Sequence, residues 1–341
     1  MSTKQSGLVH VGQFDFLQDL VCESQSQSIA QEKSLHTDVG ISHAVARSVK
    51  VFSKRQNKRL EYFEMARTQR EEGKQDLGYN SRPFILCGLP VRRPPATVSS
   101  HVRTNGRFIL EVTGDREYGL PFGQDRLIPI WIATLAVRQK DKTVRFRCAA
   151  ELLRTFRLPL DGKTYRRTVE GFKRIATSKI TFRSDESSTS PVWECLNFQF
   201  FDSARLWFAR SIDQETLADD EFSNVIVLSD QFWREIQNHP IPIELLVVCA
   251  LKDSPACLDL YCWVVWRCWK AKYSVTGDPV RIPLKGLQGQ FGIAEQPLYA
   301  FRRRLKGWLV KIHQIWPECP ARLPADSDYL ELQQRKAIIG R

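Results

Sequence analysis

The segment from Pro297 to Trp316 combines one apolar side with a purely cationic remainder. Apolar side chains recur at steps of three and four, which predicts one buried helix face: Leu298, Phe301, Leu305, Trp308, Leu309 and Ile312. The basic side chains fall on the remaining faces: Arg302, Arg303, Arg304, Lys306 and Lys311. Arginine can bind O6 and N7 of guanine or neutralise a phosphate, whereas solvated helix faces usually mix both signs of charge. The pattern therefore predicts contact with nucleic acid, with Tyr299 at the helix start also placed to touch phosphate.

A second basic segment, from Lys163 to Arg183, repeats this chemistry. Its predicted inward side chains are Tyr165, Val169, Phe172 and Ala176. The basic side chains predicted to point outward are Lys163, Arg166, Arg167, Lys173 and Arg174, with Lys179 and Arg183 on the strand that follows. If about five phosphates were neutralised by each segment, binding to DNA would weaken steeply with salt because each contact releases condensed counterions.

The elements that position the two segments are predicted to occur in the same order at equal spacing. Val144-Arg145-Phe146 precedes Gly171-Phe172, and Val280-Arg281-Ile282 precedes Gly307-Trp308 by the same distance along the chain. Equal spacing indicates one supersecondary unit used twice. A strand, a short helix, a turn and a basic helix form a helix-turn-helix, and alternating apolar residues in 180–208 predict hairpins after the first copy. The predicted fold class is therefore α+β, with two tandem winged-helix domains, each a helix-turn-helix with a β-hairpin wing.

Composition shifts divide the chain into three predicted parts. Residues 1–105 are predicted to form a basic, flexible and only partly ordered N-terminal region with a Pro-rich connector. Residues 106–228 and 229–341 are predicted to be the first and second winged-helix domains. Residues 41–75 look helical and basic, which fits either a solvated helix or an arm lying on DNA or on a partner. Prolines exclude a continuous helix over residues 76–105.

Overall composition favours a polyanionic partner in a reducing compartment. The 341-residue chain has a formal net charge of +12 and a sequence pI of about 9.3, which fits nucleic acid more often than a merely basic enzyme. Its nine cysteines include no CxxC pair, so Cys262 and Cys268 are interpreted as small buried hydrophobic residues. We expect no signal peptide, no membrane contact and a cytoplasmic location.

Motifs for catalysis or metal binding are missing from the sequence. It lacks the phosphate-binding pattern GxxxxGK[ST], the zinc motif HExxH and paired histidines one residue apart. The acidic run Asp219-Asp220-Glu221 is typical of a solvated turn rather than of a two-metal site. Tyr165 and Tyr299 have the right chemistry for a phosphodiester nucleophile, but their positions favour packing or phosphate contact. We therefore expect no enzyme activity, no catalytic residue, no metal and no cofactor.

Several short motifs resemble the plasmid-encoded RepA family of replication initiators. They are Gly119-Leu120-Pro121-Phe122-Gly123, Arg126-Leu127, 131–134, 136–138, 198–207, 227–232 and the segment from Pro240-Ile241-Pro242 to Leu258-Asp259-Leu260-Tyr261. The resemblance covers roughly residues 106–316 and leaves the N-terminal third without a matching motif. It implies an initiator of theta-type plasmid replication that binds repeated duplex DNA sequences (iterons), helps to open an A·T-rich region and limits copy number.

The resemblance also implies partners and DNA-contacting segments. The implied partners are double-stranded origin DNA, the host replication initiator, the replicative helicase and a second copy of the chain, in exchange between dimer and monomer. The DNA-contacting helices correspond by position to residues 163–177 and 297–315. Two alternatives stay open, a winged-helix transcriptional repressor and a DNA-nicking enzyme.

Overall fold

The computed structural model describes residues 54–105, 108–184, 194–206, 224–271, 279–291 and 296–333. Its N-terminal elements are α1 (Lys54–Glu71), β1 (Leu77–Asn80), α2 (Arg82–Cys87) and β2 (Ser100–Asn105). The helix predicted over residues 41–75 is thus present from Lys54, and its earlier part lies outside the described residues. Pro83 sits in the first turn of α2, where a missing amide removes no helical hydrogen bond.

The first copy of the repeated layout starts after β3 (Phe108–Thr113) and a 3₁₀ turn (Gly123–Arg126). Its elements are α3 (Leu127–Gln139), β4 (Thr143–Phe146), α4 (Ala150–Thr155), α5 (Gly162–Thr177), β5 (Lys179–Ser184) and β6 (Glu194–Gln199). β7 (Phe201–Arg205) and β8 (Asn224–Leu228) follow. We call residues 127–199 the first repeat.

The remaining elements contain the second copy. They begin with α6 (Asp230–Asn238), β9 (Ile241–Glu244) and α7 (Leu245–Leu251). The second repeat, residues 255–332, consists of α8 (Pro255–Ala271), β10 (Val280–Pro283), α9 (Leu284–Gln290), α10 (Leu298–Ile315), β11 (Ala321–Arg322) and β12 (Tyr329–Leu332). α5 begins at Gly162 and α10 at Leu298, so the two basic helices are offset by the same distance as the motifs, as the equal spacing predicted.

The two repeats differ in how their hairpins pair. All strand pairs among the described residues are antiparallel, in sheets ordered β1-β9, β2-β3-β5-β6, β4-β8-β7 and β10-β12-β11. In the second repeat β12, which follows the basic helix, pairs directly with β10, the strand before that helix, and β11 pairs with β12. In the first repeat, β5 and β6 instead join β3, while β4 pairs with β8. A hairpin thus follows each basic helix, but its sheet partner is not the same.

The four-stranded sheet shows why alternating residues form strands here. Ile180 on β5 lies opposite Val112 on β3 and Phe198 on β6, and all three side chains are buried. Their neighbour Thr181 lies opposite Glu111 and Asn197 on the other face. Successive side chains of a strand point to opposite faces, so one apolar and one polar face result. The polar run of residues 185–190 between β5 and β6 lies outside the described residues.

An aromatic cluster joins α6 to the first repeat. The rings of Phe84 and Phe200 stack with centroids 4.1 Å apart, and Phe232 of α6 meets Phe198 and Phe200 edge-on at 5.8 and 5.6 Å. Ser229 caps α6, since its hydroxyl accepts a hydrogen bond from the Phe232 amide at 3.1 Å. α6 was expected to open the second domain, yet it packs on the sheet that follows α5.

The first two N-terminal elements, α1 and β1, pack in the opposite direction, toward the second half. β1 pairs with β9 in the register Leu77 opposite Glu244, and α1 packs on α7. Arg70 of α1 donates two hydrogen bonds of 2.9 Å to the Glu244 carboxylate. The segment expected to be a connector therefore contains β1, α2 and β2, and the boundary predicted at 105/106 falls between the paired strands β2 and β3.

Ile243 shows the limit of apolar spacing. Its spacing alone would place it on one helix with Leu246, Val247 and Ala250, but it lies in β9 opposite Gly78, and α7 begins at Leu245. Gly78 leaves no room for a side chain, since an added Cβ would lie 2.5 Å from a methyl carbon of Leu245. Pairing with β1, which is distant in the sequence, sets the extended conformation of Ile243. Apolar spacing alone cannot reveal such a partner.

Candidate nucleic-acid interface

α5 is fixed in the first repeat by a cap, an apolar face and one close backbone approach. Asp161 caps its N-terminus by accepting a hydrogen bond from the Thr164 amide at 2.7 Å. Tyr165 and Phe172 are buried, as predicted. Gly171 lies so close to the 3₁₀ turn that an added Cβ would be 2.6 Å from an Asp125 carboxylate oxygen. These contacts leave the opposite helix face toward solvent.

Arg174 is a correction to the predicted outward set. Its guanidinium donates to both oxygens of Asp125, at 2.7 and 3.0 Å, and the two side chains are only 9% and 7% exposed. It also lies over the Phe122 ring, 4.8 Å from the centroid. Asp125 in turn accepts from the Phe122 amide at 2.9 Å. Arg174 therefore anchors α5 to the turn that carries the motif Leu120-Pro121-Phe122-Gly123 and is not available to DNA.

The other basic residues of α5 are accessible to different degrees. Lys163, Arg166 and Arg167 are exposed, and Arg167 donates to the side-chain oxygen of Gln124. Lys173 is half-buried, since it pairs with Glu170 at 3.2 Å and lies 5.4 Å from the Tyr118 ring centroid. The first turns of α5 thus present most of its free positive charge.

Lys179 and Arg183 lie on β5, which is an inner strand of its sheet. Lys179 is exposed, whereas Arg183 is half-buried and pairs with Glu111 on β3 at 3.6 Å. Both side chains belong to the polar face of the four-stranded sheet. The tip of the hairpin, where a wing would reach DNA, lies outside the described residues.

α10 has the two-sided character predicted for it. Phe301, Leu305, Leu309 and Ile312 are buried, and Trp308 packs against them. Tyr299 is 73% exposed. The basic residues Arg303, Arg304 and Lys306 are exposed, and within the described part of the chain the structure gives them no ion pair or side-chain hydrogen bond. These three cations are therefore free to meet an anionic partner.

Arg302 differs from its neighbours on α10. Its guanidinium donates to the carbonyl oxygens of Pro324, at 2.7 Å, and Ser327. Both acceptors lie in the turn between β11 and β12, where Asp326 has a positive φ of 52°. Arg302 thus holds the hairpin of the second repeat against α10. It can stiffen this surface, but its guanidinium already has two acceptors and is less free to bind a base than Arg303.

Buried polar contacts set the position of the two repeats relative to each other. Arg126, directly before α3, pairs with Asp259 of α8 at 2.8 Å and also donates to the Leu89 carbonyl at 2.8 Å. Lys252, after α7, donates to the Phe156 and Arg157 carbonyls at 2.7 and 2.6 Å. Two of the motifs that carry the family resemblance, the one around Arg126 and the one around Asp259, therefore meet at this junction.

The junction residues were missed as functional candidates because their roles depend on partners that are distant in the sequence. Asp259 was visible only as part of a family motif, and Arg157 and Lys252 had no signal beyond their charge. Arg82 and Glu235 form a further buried pair, with one contact of 2.6 Å, and join α2 to α6. Such pairs recur between segments that lie far apart along the chain, which apolar periodicity does not register.

No metal cluster is found among the described residues, and Cys262 and Cys268 of the apolar helix α8 are buried. The structure brings no three metal-ligating side chains together there. Burial raises the pKa of Cys262 and of Cys268 to about 12, so both thiols stay protonated. This agrees with their interpretation as small hydrophobic residues. None of the described helices has the length and apolar character needed to cross a bilayer. The acidic run Asp219-Asp220-Glu221 lies outside the described residues.

Comparison with known proteins identifies relatives over part of the chain. Residues 161–276 match the family model described as plasmid encoded RepA protein. No curated protein matches the chain. The crystal structure of domains 2 and 3 of RctB aligns with 67% of this chain and 82% of its own, at 12% identity and a TM-score of 0.47. The crystal structure of RctB-155-483 aligns with 74% and 96%, at 12% identity and a TM-score of 0.45. The resemblance found in the sequence is confirmed over residues 161–276, from the cap of α5 to just beyond α8, where the chain is similar to the plasmid-encoded RepA proteins.

Proposed function

We propose that this chain is a replication initiator that binds repeated duplex DNA sequences at a plasmid origin. The observation that carries the proposal is the pair of basic helices, α5 and α10, which occupy equivalent places in the two repeats and each turn an apolar face inward. The order of helix, strand, short helix and basic helix in each repeat supports the proposal that both are winged-helix units. Each basic helix would then enter the major groove of one DNA segment.

The DNA contacts proposed for α10 are Arg303, Arg304, Lys306 and Tyr299, with Lys311 toward the helix end. For α5 they are Lys163, Arg166 and Arg167, supported by Lys173, with Lys179 and Arg183 reaching the backbone beside them. Arg303 has the strongest case for a base contact, because it is exposed and has no acceptor among the described residues. The implied partners, the host initiator and the replicative helicase, belong to this proposal, as do origin opening and dimer–monomer exchange.

The direct test is binding of a duplex that carries the repeats flanking the gene, compared with a scrambled duplex of equal length. Arg303→Ala should weaken specific binding by about 1–3 kcal/mol, the size of one bidentate base contact. Arg234→Ala is the matched control, since Arg234 is also exposed but lies on α6, outside both basic helices. Equal affinity of the wild-type protein for both duplexes would refute sequence-specific binding, and an unchanged Arg303→Ala affinity would refute the assignment of that residue.

A replication assay distinguishes an initiator from the two alternatives, a transcriptional repressor and a nicking enzyme. A plasmid that carries only the cognate origin should replicate when this protein is supplied from another locus. If the protein binds upstream of a gene and represses it but supports no replication, the chain is a transcriptional repressor. Incubation with supercoiled origin DNA and Mg²⁺ or Mn²⁺ should leave the DNA supercoiled, and a relaxed product would indicate a nicking enzyme.

A further inference from the structure

A basic cleft of about 530 Å³ lies where α1, α5 and α10 come together. Its lining includes Lys163 and Arg167 from the start of α5 and Lys311 from the second half of α10. Both candidate DNA-contacting helices thus extend positive charge into the same cavity. We call it the inter-repeat cleft. Its volume falls within the range of ordinary ligand sites.

The charge of the inter-repeat cleft is strongly one-sided. Seven basic side chains line it, against a single acidic one, Asp253. Asp253 accepts a hydrogen bond from the Gln124 amide at 3.0 Å. Positive charges confined at this density repel one another unless an anion joins them.

Tyr62 lies at the centre of these charges. Its ring is 5.3 Å from the Arg157 guanidinium carbon and 5.5 Å from the Lys252 ammonium. Burial lowers the pKa of Lys252, and the positive charges of Lys58 and Arg157 lower it further. In the folded protein these cations therefore lie close together although desolvation and their mutual repulsion both oppose the arrangement.

Two buried polar atoms in the lining lack a hydrogen-bond partner among the described residues. They are the hydroxyl oxygen of Tyr62, a residue only 5% exposed, and the Nε of Arg59. Buried polar groups nearly always have partners, and a buried group without a partner loses the hydrogen bond that it makes with water in the unfolded chain. Both groups donate hydrogen bonds, and both residues line the cleft. A hydrogen-bond acceptor would satisfy both groups, and the surrounding positive charge favours an anionic one.

We propose that the inter-repeat cleft is a phosphate-binding site, in which Tyr62 and Arg59 donate to phosphate oxygens while the surrounding lysines and arginines neutralise the charge. We assign the phosphate to the backbone of the DNA that passes between α5 and α10, an assignment that rests on the proposed function. α1 then acts as a third DNA-binding element, beside the two basic helices. Free phosphate is the other source of the same chemistry.

The test uses two variants and one matched control on α1. Tyr62→Phe removes only the unpartnered hydroxyl, and Arg59→Gln removes one charge from the cleft. Arg67→Gln removes one charge from the same helix outside the cleft, where Arg67 is 64% exposed and pairs with Glu64 and Glu71. Because the Tyr62 hydroxyl has no partner among the described residues of the free protein, we expect the Tm of Tyr62→Phe to equal or exceed that of the wild type.

Affinity for the repeat duplex is measured against salt concentration for all four proteins. Arg59→Gln should weaken binding about 3- to 10-fold at moderate salt and reduce the slope of log K against log salt by about 1, the value expected for one lost phosphate contact. Tyr62→Phe should weaken binding with little change in slope. Arg67→Gln should behave as the wild type does. Arg59→Gln and Arg67→Gln with the same slope would overturn the assignment to DNA.

A second measurement, without DNA, addresses free phosphate. Inorganic phosphate and pyrophosphate should raise the Tm of the wild type above the effect of chloride at equal ionic strength, and the rise should be absent in Tyr62→Phe and Arg59→Gln. This response survives failure of the proposed function, because it needs no origin DNA. If it occurs without any effect on DNA affinity, the site binds free phosphate and the assignment to DNA is overturned. If neither measurement responds, the cleft is not a phosphate site.

Discussion

Removing either partner of the Arg174–Asp125 pair should destabilise the protein without changing its DNA contacts. Both side chains are at least nine-tenths buried and share hydrogen bonds of 2.7 and 3.0 Å. Breaking a buried pair by deleting one member costs about 3–5 kcal/mol, since a charge is left without a partner. A domain is stable by only about 5–15 kcal/mol in total, so either change should shift urea unfolding strongly.

The two single variants should not be equal. Asp125→Ala leaves a buried guanidinium unpaired and also removes the acceptor of the Phe122 amide, so its loss should lie at the upper end of that range. Arg174→Met leaves the Asp125 carboxylate with the Phe122 amide hydrogen bond and should cost about 3 kcal/mol. The double variant should lose less than the sum of the two, because no unpaired charge remains.

Urea unfolding curves with unchanged slopes give these differences directly. Lys173→Met is the matched control, since Lys173 pairs with Glu170 at the surface, where their side chains are 38% and 49% exposed, and should cost less than about 1 kcal/mol. A loss below about 1 kcal/mol for Arg174→Met, or a strictly additive double variant, would refute the anchoring role. A salt slope of DNA binding reduced by about 1 in folded Arg174→Met would restore Arg174 as a DNA contact.

Two further predictions concern the equivalent glycines of the two basic helices and a buried histidine on β2. Gly171→Ala should destabilise the protein by about 1–3 kcal/mol, because the added methyl group would be overpacked against Asp125. Gly307 occupies the equivalent position of α10 and has open space around it, so Gly307→Ala should stabilise the protein by up to about 1 kcal/mol. Equal shifts in Tm for the two variants would contradict this prediction. Burial and the nearby charge of Arg103 lower the pKa of His101 from 6.5 to about 4, so the folded protein favours the neutral imidazole. The free energy of unfolding should therefore be highest above pH 6.5 and should fall by up to about 2 kcal/mol at pH 5. His101→Gln should flatten that dependence in urea titrations at pH 7 and 5, and an unchanged profile would exclude His101 as its cause.

The sequence predicted the elements whose signals are local. The apolar face of α10 follows helical spacing over residues 298–312, and the structure buries Phe301, Leu305, Leu309 and Ile312 as expected. The alternation of apolar and polar residues around Ile180 was an equally direct signal. In these places neighbouring residues determine the conformation, so the period of the apolar residues is sufficient.

The parts that were missed depend on contacts between distant segments. β1 forms because β9, from the second half of the chain, offers a strand edge. Arg174 is a basic residue on a basic helix, so the sequence alone predicts that it points outward. Only the folded 3₁₀ turn brings Asp125 within reach of its guanidinium. Arg302 likewise meets its acceptors only when the β11–β12 turn closes on α10. Helical period shows which residues share a face, but it does not show what another segment places against that face.

The crossed packing of α1, β1 and α6 has a consequence for any attempt to cut the chain in two. A fragment starting at residue 229 would lose the strand that pairs with β9 and the helix that covers α7. It would also carry Phe232 away from its aromatic neighbours. The complementary fragment would expose Phe84 and Phe200. The two halves are interleaved, so each fragment from a division at residue 229 should aggregate when it is expressed alone. The two fragments should associate into one complex when they are co-expressed.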